Sequence, residues 1–250
     1  MWQYRELIRS LTFTELRLKY QNTSLGFLWS ILSPFLFATV IYLVFRNLFQ
    51  QEEDFAVKLL VGIMAWRFFA NGTSSGLSSI VSRSNLVTNI YIPRKIFVLS
   101  TVLANFISSI LEFIILLPII FVLTGGLPVT VLLFPLISLL FLWLIYGAGL
   151  LLGALFVYFR DLNQIWDVTL TSLFFMSPVM YPISVVPPNI MTIYMLNPLT
   201  RLIIMYREVM IVGILPSMES LIIVISSSVI LFVIGNVIFN KLQRRFAEVI

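Results

Sequence analysis

The 250-residue chain contains no cysteine and no histidine. Disulfides, thiolate chemistry, Cys/His zinc sites and His-based catalysis are thereby excluded. Charge is scarce as well: 11% of residues are Asp, Glu, Lys or Arg, against about 25% in soluble domains. The 11 acidic residues are scattered, and no pair has the spacing of a metal-binding or acid/base site, so an embedded enzyme has little support. No G-x-x-x-x-G-K-[ST] run occurs, so ATP cannot be held by a phosphate loop of this chain. The first 20 residues, MWQYRELIRSLTFTELRLKY, carry charge throughout and lack the apolar core and small-residue cleavage site of a signal peptide.

What fills the sequence is apolar. Hydrophobic residues make up 60% and aromatics 14%, including 22 Phe. A soluble core of this length cannot hide so much apolar surface, so the chain is predicted to be an all-α polytopic membrane protein with a single domain. Six stretches are long enough to span: 25–49, 55–79, 97–123, 130–158, 165–183 and 217–240. The second ends in the small polar run NGTSSGLSS, and the fifth is interrupted by Pro178 and Pro182. Residues 184–216 are too broken by proline to cross and too apolar for a free loop, which predicts re-entrant or interfacial helices. Residues 1–22 read as an amphipathic helix lying in the headgroup plane. Tyr4, Leu7, Ile8, Leu11 and Leu18 share one face, Arg5, Arg9 and Arg17 lie opposite, and Phe13 and Leu16 stray from the stripe.

The net charge of +5 matters through its distribution, and a nucleic-acid partner is not expected. With six spans, one side holds Arg5, Arg9, Arg17, Lys19, Arg83, Arg94, Lys95, Arg160, Lys241, Arg244 and Arg245. The other holds Lys58, Arg201 and Arg207, with Glu52, Glu53 and Asp54. Lys and Arg sort to the cytoplasm, so both termini and the connection SNLVTNIYIPRKIFVLS (84–100) are predicted to be cytoplasmic. Two charges fall inside spans, Arg67 and Glu112, each about 15 Å from the outer end. Such charges are costly and are usually paired or wet. A structural pair or shared polar layer is expected, and an ion relay is the competing reading. Gly72-x-x-x-Gly76 and Gly149-x-x-x-Gly153 suit close helix packing, although this spacing is also frequent by chance. Arg160 and Asp161 are expected to form a loop pair. The aromatics of spans one and five face lipid or line a sugar pathway; periodicity leaves both open.

Four ordered stretches carry a resemblance: LKYQNTSLGFLWSILSPFL (18–36), SNLVTNIYIPRKIFVLS (84–100), YFRDLNQIWDVTLTSLFFMSPVMYPISVVPPN (158–189) and LNPLTRLIIMYREVMI (196–211). Together they resemble the membrane subunit of ABC-2 type exporters for cell-surface polysaccharides such as O-antigen, teichoic acid and capsule. One departure is that Phe97-Val98-Leu99 stands where a proline often follows the Pro-Arg pair. The resemblance implies a homodimeric permease of the bacterial inner membrane. It further implies two copies of a separate ATP-binding cassette subunit that bind ATP and Mg, with no cofactor in this chain, and a lipid-linked polysaccharide moving between protomers. Under it, Asn89, Tyr91, Pro93, Arg94 and Lys95 become candidates for docking the ATPase. Phe35, Phe37, Tyr42, Phe174, Phe175 and Tyr181 become candidates for lining the channel. An ABC-2 permease for drugs or lipids, and an ion-coupled secondary transporter, are the alternatives.

Overall fold

A chain without water around its backbone must satisfy every N–H and C=O within itself, and the elements formed are helices throughout the described residues. The computed structural model describes residues 2–21, 25–49, 54–89 and 92–249. Glu52, Glu53 and Tyr91 lie outside these, as does the Ser24 of the first motif. The helices are α1 (Arg5–Tyr20), α2 (Leu28–Phe45), α3 (Phe55–Ser78), α4 (Ser84–Asn89), α5 (Lys95–Thr124), α6 (Phe134–Tyr158), α7 (Leu162–Phe175), α8 (Pro188–Met195), α9 (Pro198–Arg207), α10 (Met218–Leu242) and α11 (Phe246–Val249). Among the described residues, five segments, built on α2, α3, α5, α6 and α10, are long and apolar enough to cross a membrane.

The fifth expected span differs. In place of a helix over 165–183, α7 has 14 residues and stops at Phe175, giving about 21 Å of helix. Pro178 is the physical reason, since it lacks an N–H donor and its ring clashes with the carbonyl four residues back. The chain then runs through turns to a short 3-10 helix at Ile183–Val185. Pro34 and Pro118, by contrast, sit inside α2 and α5 without ending them.

α6 is the hub. On one face it meets α3 at a glycine seam: a Cβ on Gly76 would lie 2.9 Å from the Gly149 Cα, and one on Gly153 would lie 2.9 Å from the Gly76 carbonyl oxygen. On the other face it meets α10, where a Cβ on Gly147 would lie 2.6 Å from the Phe232 nitrogen. Only the missing side chains allow backbones this close. The two glycine pairs singled out by spacing thus face each other across one interface.

Direction follows from the ends. The Tyr158 hydroxyl donates to the Leu242 carbonyl at 2.9 Å, and Lys95 donates to Asn236 Oδ1 at 2.6 Å. The C-terminal ends of α6 and α10 therefore share one end of the bundle, the basic end, with the start of α5. At the far end Thr130 donates to the Val209 carbonyl at 2.9 Å, and Arg207 donates to the Lys58 carbonyl at 3.0 Å. α6 and α10 run in the same direction, so α7 and residues 176–217 must carry the chain from the basic end back to the far end.

The far-end segment is helical, as expected, and much of it is covered by protein. α9 starts at Asn197, whose side chain accepts from the Leu199 N–H, with proline in its first turn, an arrangement that suits Pro and Asn at a helix start. Tyr206 is fully buried, shares a 2.7 Å hydrogen bond with Ser138 and stacks on Phe113 with centroids 4.9 Å apart. α1 leans on α5, where the Tyr20 hydroxyl donates to Ser108 at 3.1 Å. Its sheltered side holds Tyr4, Leu7, Ile8, Leu11 and Leu16, while Leu18, expected on that face, is 60% exposed.

Replacing Gly149 by Leu is expected to destabilise the protein by about 1–3 kcal/mol through overpacking. It should lower the thermal unfolding midpoint in detergent, whereas Gly126→Ala, with open space around it, should leave the midpoint unchanged.

Candidate functional site

The basic end gathers the connection between α3 and α5. Arg83 pairs with Glu15 of α1 and donates to Thr101 Oγ1 at 3.0 Å, tying three elements together. Arg94 donates to the Gln243 carbonyl and lies over the Phe246 ring, 5.8 Å from its centroid. With the Lys95–Asn236 bond, both cations of the Pro-Arg-Lys run are engaged within the chain, against the tail of α10. Pro93 and Asn85 are exposed beside them, as are Lys241, Arg244 and Arg245. Asn89 ends α4, with its side chain outside the described residues, as is all of Tyr91. At the α6–α7 turn, Arg160 lies over the Phe156 ring at 5.5 Å. Arg160 and Asp161 are both exposed, and an ion pair between them is not among the described contacts.

Midway along the bundle, Arg67 Nη1 donates to Ser33 at 3.1 Å, linking α3 to α2. Its Nε is buried with no partner among the described residues. Glu112 of α5 is 5% exposed, and the groups acting on its carboxyl are Lys19, Arg67 and Ser30. The charges therefore form a layer reaching from α1 across α2 and α3 to α5. Lys19 and Ser33 belong to it. Nothing in the spacing pointed to them, since their approach depends on how α1 and α2 dock.

The aromatic residues divide by helix rotation. Phe37 and Phe174 face one another across a cleft of about 360 Å³ between α2, α3 and α7, with centroids 6.2 Å apart, joined by Trp66 and Arg67. Phe35 and Tyr42 turn away, into a cavity of about 180 Å³ against α3 and α5. Phe175 is 57% exposed. Tyr181 donates to the Phe175 carbonyl at 2.7 Å and shares a 3.1 Å hydrogen bond with Tyr194. Trp66, in the run Trp66-Arg67-Phe68-Phe69 of span two, was not singled out in the sequence, since only the docking of α2 and α7 against α3 sets it in this cleft. Trp166 Nε1 donates to Thr73 at 3.2 Å and holds α7 to α3. At the far end, burial raises the pKa of Glu208, against the opposing pull of Arg201. Burial also raises that of Tyr194, with Tyr181 adding to it.

Residues 6–211 match the ABC-2 type transporter family. The O-antigen export system permease protein RfbA of Myxococcus xanthus is 33% identical over 255 residues, covering 99% of this chain and 96% of that protein. An RfbA of Klebsiella pneumoniae is 29% identical, covering 98% and 95%. The polysialic acid transport protein KpsM of Escherichia coli is 24% identical, covering 82% and 81%.

Arg67→Leu should destabilise the protein by about 2 kcal/mol, because it strips a cation from a buried carboxyl. The double variant Arg67→Leu/Glu112→Leu should recover much of the loss. The check is the yield of monodisperse protein and its unfolding midpoint.

Proposed function

The chain belongs to the ABC-2 type transporter family, and from that premise we propose that it is the permease subunit of an ATP-driven exporter of a lipid-linked cell-surface polysaccharide. The observation that carries this reading is the similarity to O-antigen export permeases along almost the whole of both chains. A sequence without a phosphate loop needs its energy from elsewhere, and a separate ATP-binding subunit that holds ATP and Mg supplies it.

The permease works in the bacterial inner membrane as a homodimer with two ATPase copies. It crosses six times, the additional crossing made by α7 and the turns after it, with both termini in the cytoplasm. Parallel α6 and α10 support this count, and the Lys and Arg at the basic end support the orientation. α1 is the interfacial helix, since its second half meets α5 near the level where the hydrocarbon begins. The basic end is the ATPase docking face. There Arg94 and Lys95 act as positioning residues that hold the connection against α10, leaving Pro93 and Asn85 outward. The cleft of Phe37, Trp66 and Phe174 borders the glycan path, because sugar C–H faces stack on aromatic rings. ATP-driven motion of the docked subunit reaches that cleft through packed helices, a coupling that needs two discrete arrangements of the bundle.

Deleting the gene is expected to abolish surface polysaccharide while lipid-linked polymer accumulates inside, with recovery on complementation. Intact surface polysaccharide together with a changed drug or lipid profile would redirect the assignment to another ABC-2 cargo. Arg94→Glu/Lys95→Glu should cut the ATPase recovered with the permease at least several-fold while membrane insertion survives, measured by co-purification.

A further inference from the structure

A cavity toward the basic end has a polar lining. It has a volume of about 520 Å³ and lies between α1, α3 and α5, with Lys19, Arg67, Asn71, Ser74, Ser75 and Asn105 in its lining together with the Glu15 carboxylate that pairs with Arg83. Arg67, Asn71, Ser74 and Ser75 fall at i, i+4, i+7 and i+8 of α3, which is one face of a helix. That face is hydrophilic within a segment otherwise suited to a bilayer. At its deepest point sits Arg67, with Nε buried and without a partner among the described residues and Nη1 spent on Ser33. At its mouth Lys19 is exposed.

The depth is informative. About 20 residues from the far end of a span, roughly 30 Å, bring the chain to the opposite edge of the hydrocarbon. On α3 that point is near Ser74 and on α5 near Ala104, both of which line the cavity. The cavity mouth therefore lies at the headgroup level of the inner leaflet, and Arg67 lies about 10 Å deeper, seven residues along α3. Arg67 and Asn71 also line the aromatic cleft of Phe37, Trp66 and Phe174. One guanidinium thus stands where the polar cavity meets the cleft assigned to the glycan.

The charge balance leaves a cation in excess. Arg83 is taken by Glu15, and Glu112 lies within the electrostatic reach of both Lys19 and Arg67. Two carboxylates thus answer three cations. Asn71, Ser74 and Ser75 add neutral donors. An oxyanion at headgroup level, carried on a lipid, matches this donor set. Bidentate guanidinium and point-charge ammonium are the side chains that hold phosphate.

We propose that the lipid-linked substrate carries a phosphate group between lipid and glycan and that this cavity is the subsite for it, with Arg67 and Lys19 as its ligands. The inference rests on the export reading above. The phosphate enters from the inner leaflet at Lys19, is held by Arg67 and Asn71, and leaves the sugar beside Trp66 and Phe174. A membrane phospholipid offers similar chemistry, so the test separates the two.

The permease with its ATPase is reconstituted in phosphatidylcholine nanodiscs. Binding is measured for a dialkyl diphosphate disaccharide and for its phosphate-free glycoside. Wild type should bind the diphosphate lipid at least tenfold more tightly. Arg67→Gln and the surface variant Lys19→Gln should each erase most of that preference, Lys19→Gln without changing affinity for the glycoside, and Arg67→Lys should retain part of it. If Lys19→Gln, an exposed position at the cavity mouth, keeps full preference, the proposal is overturned. Displacement of the probe by equimolar phosphatidylglycerol would also overturn it, by giving the site to bulk lipid. Either failure leaves the export reading standing, since gene deletion tests that separately.

Discussion

The architecture depends on how closely α6 approaches its two neighbours. Without side chains at Gly76, Gly149 and Gly153, backbones of α3 and α6 touch, and Gly147 lets α10 in from the other side. In lipid there is little hydrophobic drive to press helices together, so contact area between backbones carries the association. Once α3, α6 and α10 are fixed, their ends define a basic end and a far end, and the remaining elements take their places from these. α9 is wedged at the far end by Tyr206, and the α3–α5 connection is pinned at the basic end by Arg94.

The polar groups are placed by the same frame. α3 turns its glycines toward α6 and therefore turns Arg67, Asn71, Ser74 and Ser75 toward α1 and α5. Small residues on one face and hydrophilic ones on another make α3 both a packing element and the wall of a polar cavity. An intramembrane arginine is costly unless something answers it, and here Ser33 and the Glu112 layer do so in part.

Much of this was legible in the residues. Apolar length located five membrane segments to within a few residues, because the requirement to cross about 30 Å is strict. Proline marked the broken region 184–216. Two things escaped. α7 ends at Phe175: the interruption at Pro178 was visible, but apolar residues continue past it, so the stretch still read as one span over 165–183. Rotation of α2 about its axis also escaped: Phe35 and Phe37 look alike in sequence yet lie on different cavities, and only docking against α3 and α7 separates them. Lys19 joined the Glu112 layer for the same reason. Arg94 and Lys95 were found by their charge, but their engagement with α10, about 140 residues away in the chain, is a tertiary fact with no local signature.

The central claim is that this chain forms a path for polymer but draws its energy from a partner. The most direct measurement is polymer translocation into proteoliposomes containing purified permease, with and without the ATPase subunit that co-purifies with it. The account requires ATP-dependent movement of lipid-linked glycan only when both subunits are present, and none when a proton gradient is imposed on the permease alone. Translocation by the permease alone, driven by that gradient, would contradict it.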